Sequence, residues 1–195
     1  NIFEIGQVFR AEKFHTRRHL SEYLSADFEM AWIKSEDDVM DVLEGMVKYA
    51  LKGLKDDGLK VDVPDYDFPR LEYKEVVDML NSEGLKIEFG EDLEDAQEAK
   101  LGEIMQNKGK DWYFITKYPS KIKPFYIMFD GELSRGVDLD FRGLEMSSGG
   151  QREHRFKNLV SVMKDKGLNP DDFKFYTDAF RWGMPPHGGF GFGTE

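Results

Sequence analysis

The chain has 195 residues, of which 40% are hydrophobic and 33% charged, and its formal net charge is −11. This composition is typical of a globular protein, and no stretch approaches the ~18 apolar residues of a membrane span. The negative charge argues against broad nonspecific nucleic-acid binding, and the absence of cysteine excludes disulfides, thiolate metal sites and cysteine nucleophiles. A reducing cytoplasm is the expected location.

Two strands joined by a basic loop are predicted at the start of the chain. Residues 2–10 alternate loosely between apolar and polar side chains, and residues 24–30 alternate again, with acids at Asp27 and Glu29. Residues 13–19 between them carry few large apolar side chains and are rich in lysine, arginine and histidine. We therefore predict an antiparallel hairpin whose loop is free to close on a ligand.

Helices and further strands are predicted for the middle of the chain. Ser35, followed by three acids, begins an amphipathic helix that ends at Gly58. A second helix covers residues 73–82, and a poorly amphipathic acidic helix covers residues 91–108. Other expected segments are a loop or edge strand at 61–70 and strands at 112–116 and 125–129.

The stretch 138–154 concentrates side chains that suit an anionic, metal-assisted ligand. Alternation across residues 137–142 predicts a strand, the Ser-Ser-Gly-Gly cluster at 147–150 predicts a turn with free N–H groups, and a helix is expected from Gln151. Asp138 and Glu145 could bind Mg²⁺ together with ligand phosphates; the alternative is a solvated strand end. Arg152 could pair with a carboxylate on a ligand; the alternative is a surface salt bridge with Glu153 or Asp138.

The last part of the chain is predicted to form two helices and a glycine-rich segment. The helices begin near Phe156 and Asn169 and end at Gly167 and Gly183. In residues 188–193, glycines alternate with phenylalanines, which indicates backbone packed against a flat ligand or another chain segment; the alternative is a tight strand or corner. Since strands and helices do not alternate strictly, we predict an α+β fold with an antiparallel sheet.

Three ordered stretches resemble signature motifs of the class II aminoacyl-tRNA synthetases. FRAEKFHTRRHLSEYLSADFEM at 9–30 is similar to motif 2, GLEMSSGGQREH at 143–154 to the amino-acid-binding strand and turn, and PPHGGFGFGTE at 185–195 to the start of motif 3. The resemblance is to the archaeal-type aspartyl-tRNA synthetases. It implies a class II antiparallel β-sheet flanked by helices, and a catalytic-domain fragment over residues 1–195 with a small insertion around 62–110. The anticodon-binding domain and motif 1 would lie outside this piece.

The resemblance also implies ATP and Mg²⁺ as cofactors and assigns roles by position. Arg10, as the catalytic residue, would hold the α-phosphate, Tyr23 would stack on adenine, and Arg152 would read the side-chain carboxylate of aspartate. The implied ATP-binding residues are Arg10, Glu12, His19, Tyr23, Glu145, Gly189 and Gly191. The implied aspartate-binding residues are Asp27, Ser148 and Arg152, and the implied metal ligands are Asp138, Glu145 and Ser148.

The implied activity is aspartate–tRNA ligase, which forms aspartyl-adenylate from ATP and transfers the amino acid to the 3′ end of tRNA(Asp). Charging of tRNA(Asn) is left open, and a homodimer without membrane attachment is expected. Two alternatives remain: asparaginyl-tRNA synthetase, which shares the fold and a similar GGxQRE segment, and a non-catalytic synthetase-like amino-acid-binding module. Arg152 favours the aspartyl enzyme, because a buried arginine facing a neutral amide lacks a charged partner.

Overall fold

A seven-stranded sheet organises the chain in the computed structural model, which describes residues 1–11 and 20–194. The strands are β1 (Ile2–Phe9), β2 (Glu22–Ala31), β3 (Arg70–Glu72), β4 (Trp112–Thr116), β5 (Phe129–Asp130), β6 (Leu133–Ser134), β7 (Gly136–Phe141), β8 (Leu144–Gln151) and β9 (His187–Gly193). The strand order in the sheet is β1-β2-β9-β8-β7-β4-β3, and β5 and β6 form a separate pair. Neighbouring strands are antiparallel, except that β3 runs parallel to β4.

The helices of the described residues cover both faces of this sheet. They are α1 (Glu36–Asp56), α2 (Tyr73–Ser82), α3 (Asp95–Asn107), α4 (Phe156–Asp165) and α5 (Lys174–Arg181), with a 3₁₀ turn at Pro170–Phe173 ahead of α5. In the parts of the chain that the structure describes, no helix has both the length and the apolar character needed to cross a bilayer.

The two faces of the sheet differ in what covers them. One face packs under α1, with Phe114, Val137, Leu139 and Phe190 buried in a single hydrophobic cluster. On the other face, α2 and α3 cover the β3–β4 end in a second cluster, while α4 and α5 form a third. Between these covers, the side chains of Asp27 and Ser148 are exposed. We call this surface of β2, β9, β8 and β7 the open face.

Ser35 begins α1 through a reciprocal capping arrangement. Its hydroxyl accepts the backbone N–H of Asp37 at 3.2 Å, and the Asp38 carboxylate accepts the N–H of Ser35 at 3.4 Å. These contacts satisfy N–H groups that lack partners within the helix. The helix predicted from Ser35 is therefore confirmed, including its first residue.

Substitution of Ser35 by alanine is expected to lower the free energy of unfolding by about 1 kcal/mol, because the first turn of α1 loses its cap. Urea titration followed by circular dichroism measures this loss. Ser161→Ala, at an exposed position inside α4, is the matched control and is expected to be neutral or slightly stabilising. Equal losses in both variants would contradict a capping role.

Most predicted elements are confirmed, but two segments differ. Residues 147–150 lie inside β8 instead of forming a turn, and Gln151 ends β8 instead of beginning a helix. The helix predicted from about Phe156 is confirmed. The glycines of residues 147–150 permit close strand approach, because a Cβ on Gly149 would lie 2.4 Å from the carbonyl oxygen of Gly189. The strand predicted at 125–129 is also wrong, since only the pair Phe129–Asp130 forms β5.

The structure does not test two further predictions. The basic loop at 13–19 lies outside the described residues. The small insertion around 62–110 stays a prediction; its residues supply the edge strand β3, α2 and α3, which share a hydrophobic cluster with β4.

Candidate active site

The pairing register lines up the predicted site residues in two rows across the open face. Directly paired residues of antiparallel strands point to the same side of a sheet. The first row is Asp27, Gly191, Ser148 and Asp138, and the second is Glu29, Gly189, Gly150 and Gly136. At about 4.8 Å per strand, each row spans about 14 Å. Residues that are distant in the sequence therefore form one surface with a glycine floor.

Two carboxylates, those of Asp27 and Glu29, lie directly over glycines of β9. Ser25 donates its hydroxyl hydrogen to Oδ1 of Asp27 at 2.7 Å, and a Cβ on Gly191 would lie 2.9 Å from the same oxygen. A Cβ on Gly189 would lie 2.7 Å from Cδ of Glu29. Gly189 and Gly191 thus make room for the two acids, and their implied contact with ATP stays a prediction.

Arg152 is held by Glu29 rather than by either partner that the sequence suggested. Its Nε and Nη2 donate to the same oxygen, Oε1 of Glu29, at 3.0 and 2.6 Å. The side chain of Arg152 is only 16% exposed, and its guanidinium lies 5.7 Å from the ring centroid of Tyr126. Glu153, one of the suggested partners, binds Arg155 instead.

The ion pair of Arg152 and Glu29 does not use all the hydrogen-bonding groups of the two side chains. Within the described residues, Oε2 of Glu29 is buried and has no hydrogen-bond partner. An arginine guanidinium presents five N–H donors in a planar fork, which suits a carboxylate ligand. The arrangement therefore offers a largely desolvated cation for a small acid, next to a glutamate that fixes its orientation.

A β-bulge brings Glu145 to the acidic end of the open face. The β7–β8 register shifts between Leu139 and Asp140, so that Asp140 pairs with Glu145 while Ser148 pairs with Asp138. The extra residue, Met146, packs against the hydrophobic cluster under α1. Without the bulge, Glu145 would share the face of Ser147 and point to that cluster. The alternation of β8 alone would not place Glu145 on the open face.

The acids at this end repel one another. The negative charge of Asp138 raises the pKa of Glu145 above its ordinary value. Burial, and then the charges of Asp138 and Glu145, raises the pKa of Asp140 well above the ordinary range. A cation brought by a ligand would relieve this repulsion.

Lys123 is a charged member of the site that the sequence did not reveal. Its ammonium group donates to Oδ2 of Asp138 and lies 3.7 Å from the ring centroid of Tyr118. Its aliphatic stem would lie 3.4 Å from a Cβ on Gly136, which places it at the end of the glycine row. Lys123 precedes Pro124 in a loop, where no periodicity predicts the direction of a side chain.

The acidic end suits a metal that enters together with phosphates. The described residues contain no group of three or more His, Asp or Glu side chains that could hold a metal ion by themselves. In the same part of the chain, Oδ1 of Asp138 is buried without a hydrogen-bond partner. Mg²⁺ usually takes one or two protein carboxylates and completes its shell with water and substrate phosphates. Asp138 and Glu145, with the exposed Ser148 beside them, fit that requirement.

Arg10 and Tyr23 lie together on the β1–β2 hairpin. The backbone N–H of Arg10 donates to the carbonyl oxygen of Ser21 at 2.8 Å, and the guanidinium lies 5.3 Å from the ring centroid of Tyr23. Tyr23 precedes Asp27 by four residues in β2, so the two side chains lie on the same face of the sheet. The implied contacts of Arg10 and Tyr23 with ATP stay predictions. Glu12 and His19, also implied to bind ATP, lie outside the described residues.

Comparison with known proteins gives consistent matches over the whole chain. The family model of the class II tRNA synthetases (D, K and N) matches residues 1–195. Aspartate–tRNA(Asp) ligase of Pyrococcus furiosus is 47% identical and aspartate–tRNA(Asp/Asn) ligase of Methanopyrus kandleri is 43% identical; both matches cover 100% of this chain. They cover 47% and 46% of those proteins, so the chain spans about half the length of the curated relatives it matches.

Solved structures of the same kind superpose closely. Aspartyl-tRNA synthetase from Entamoeba histolytica matches with a TM-score of 0.89 and 35% identity, covering 98% of this chain and 42% of that one. Asparaginyl-tRNA synthetase from Pyrococcus horikoshii, complexed with asparaginyl-adenylate, matches with a TM-score of 0.87 and 32% identity, covering 98% and 46%.

Proposed function

We propose, from the premise that this chain belongs to the class II tRNA synthetases (D, K and N), that it supplies the amino-acid activation site of an aspartate–tRNA ligase. The observation that carries the proposal is Arg152, a largely buried guanidinium whose planar fork suits the two oxygens of a carboxylate. The expectation that Arg152 would lack a charged partner opposite an amide is wrong, because Glu29 already pairs with it. Sequence similarity supports the same choice. Relatives named as aspartate–tRNA ligases are 43–48% identical over the whole chain. The solved structures do not separate the two enzymes, because aspartyl-tRNA synthetases match at 29–35% identity and asparaginyl-tRNA synthetases at 30–32%.

The proposed reaction has two steps. In the first, the α-carboxylate of aspartate attacks the α-phosphorus of ATP, the bond to the bridging oxygen breaks, and pyrophosphate leaves. In the second, the terminal ribose hydroxyl of tRNA(Asp) attacks the acyl carbon of aspartyl-adenylate, and AMP leaves. The first step needs no general base, because the attacking carboxylate is already ionised. Its barrier comes from bringing two anions together in line, which positioning and positive charge lower.

The open face supplies groups for each end of the substrate. Arg152 would bind the side-chain carboxylate, and Asp27, held by Ser25, would accept the ammonium group. The amino acid would then lie over the glycine floor with its α-carboxylate free to react. Arg10 would neutralise charge on the α-phosphate. Asp138, Glu145 and Ser148 would hold Mg²⁺, which when bound neutralises charge on the departing pyrophosphate.

ATP–pyrophosphate exchange tests the choice of amino acid. The assay should use a protein that carries this chain with the flanking segments of its relatives, because the chain spans about half their length. We expect exchange to depend on L-aspartate and to respond at least about 100-fold less to L-asparagine, because the guanidinium of Arg152 has only donors and the amide nitrogen of asparagine cannot accept a hydrogen bond from it. Exchange driven by asparagine and not by aspartate would replace this proposal with the asparaginyl enzyme. Absence of exchange with either would favour a non-catalytic module.

We further propose tRNA(Asp) as the acceptor and a homodimer as the working form. Whether tRNA(Asn) is also charged can be tested by aminoacylation of each purified tRNA with aspartate. The relative from Methanopyrus kandleri is named as a ligase for both.

A further inference from the structure

We propose that Lys123 is a positioning residue that competes with a divalent cation for Asp138. In the free protein, the lysine would keep the metal affinity of this site low until a polyphosphate ligand draws the ammonium group away. The inference rests on the proposed function, since it concerns the same acidic site. It adds one residue to the site, and it adds a binding order in which the metal binds together with the nucleotide and not before it.

The pair of Lys123 and Asp138 is a built feature of the site. The side chains are 15% and 6% exposed, respectively, so both are largely desolvated. The ammonium group also faces the buried ring of Tyr118, and the stem passes near Gly136, 3.4 Å from where a Cβ would stand. The ion pair and the ring contact together hold Lys123 over Asp138, whereas an exposed ion pair would exchange freely with solvent.

The position of Lys123 creates a conflict with metal binding. If a divalent cation bound Asp138 while the ammonium group kept its hydrogen bond to the same carboxylate, the two positive charges would lie roughly 4–5 Å apart. At that separation in a partly desolvated site, two positive charges repel strongly. The second oxygen of Asp138 does not remove the conflict, because it belongs to the same carboxylate.

An incoming polyphosphate would resolve this conflict. Its negative oxygens offer the ammonium group a new partner, and the metal bound to those oxygens can then use Asp138. Lys123 would move by rotating its long side chain about the stem, without a change in the strand that carries Asp138. The positive charge would stay in the site and pass from a carboxylate to a phosphate.

Binding of Mn²⁺ to the 195-residue protein, followed by electron paramagnetic resonance of the free ion, tests the inference without nucleotide, amino acid or tRNA. The quantity compared between variants is the dissociation constant of the tightest Mn²⁺-binding component, and Asp138→Asn is expected to weaken it. We expect Lys123→Met to tighten this component roughly tenfold, because a competing cation is removed. Lys121→Met, an exposed lysine two residues earlier, makes the same change in net charge and is expected to alter the affinity by less than about twofold.

The double variant Lys123→Met with Asp138→Asn separates competition from a general charge effect. We expect the gain from Lys123→Met to vanish in the Asp138→Asn background. Equal affinities in the wild type and Lys123→Met, equal gains in both lysine variants, or a gain that survives Asp138→Asn would each overturn the inference. Lys123→Gln replaces Lys123→Met if the latter lacks the circular dichroism spectrum of the wild type.

The Mn²⁺-binding experiment and the pyrophosphate-exchange assay can fail independently of each other. If the metal experiment succeeds while exchange fails with both amino acids, the lysine–metal competition stands and the ligase proposal falls. If exchange succeeds but Mn²⁺ affinity does not respond to Lys123→Met, only the competition is wrong.

Discussion

Replacement of Arg152 by glutamine is expected to lower kcat/KM for aspartate in pyrophosphate exchange by roughly 10²- to 10³-fold. Removing one member of a fully buried ion pair costs about 3–5 kcal/mol, because the remaining charge loses its partner. Arg152 is 16% exposed but Glu29 is 38% exposed, so solvent screens part of this loss and the lower end of the range applies. Here two carboxylates are affected: that of the substrate and that of Glu29, whose Oε1 accepts two hydrogen bonds from the guanidinium. Because part of this cost destabilises the free protein, kinetics and thermal stability should be measured together.

Two comparisons make the Arg152 experiment specific. Arg181→Gln removes an arginine that is 54% exposed and pairs with Asp178 one turn away, so it is expected to change kcat/KM by less than about twofold. Arg152→Lys keeps the charge but loses the planar fork, and it is expected to recover only a minor part of the activity. If Arg152→Gln lowers kcat/KM no more than Arg181→Gln does, the assignment of aspartate recognition to Arg152 is wrong.

Replacement of Gly189 by alanine is expected to destabilise the protein by at least about 3 kcal/mol or to prevent folding. The added Cβ would lie 1.9 Å from the carbonyl oxygen of Phe28 and 2.7 Å from Cδ of Glu29. The first of these contacts is with backbone in the neighbouring strand, which is held by pairing on both sides and cannot move away alone. Overpacking of this kind costs more than the 1–3 kcal/mol that is typical when side chains can repack.

Gly193→Ala is the matched control for Gly189→Ala. It lies in the same strand, and a Cβ there would meet nothing within 4 Å. Urea unfolding should therefore give a free energy within about 0.5 kcal/mol of the wild type for Gly193→Ala. If Gly189→Ala were equally stable, β2 and β9 would have to be further apart than the structure places them.

Local signals in the sequence were sufficient for most elements of the fold. Ser35 and its following acids predicted the start of α1, and the helix predicted at residues 73–82 has the observed bounds of α2. These signals depend on contacts within a few residues. Glycine was ambiguous in the same local terms: Gly149 and Gly150 suggested a turn but lie within β8, because glycine serves close strand packing as well as turns.

The sequence predicted some residues of the site and missed others. The residue pattern already suggested Asp138 and Arg152, and the family resemblance added Asp27 and Ser148. The register brings Asp27, Ser148 and Asp138 to the open face, and Arg152 reaches it through its ion pair with Glu29. The partner of Arg152 was missed, because Glu29 lies 123 residues away along the chain. Lys123 was missed as well, since its loop carries no periodic pattern that relates it to Asp138.

The sequence by itself determined which segments become helices and strands, and which residue types are available for binding an acid, a phosphate or a metal. The tertiary structure alone decided how those residues combine. Strand register made a glycine floor from three strands, a bulge turned Glu145 toward Asp138, and packing set Lys123 over Asp138 and Glu29 against Arg152. The physical reason is the distance along the chain over which each interaction acts. Helix caps and periodicity involve residues a few positions apart, so the sequence shows them. Strand pairing and ion pairs join residues that are far apart in the sequence, and no local pattern predicts which residues meet.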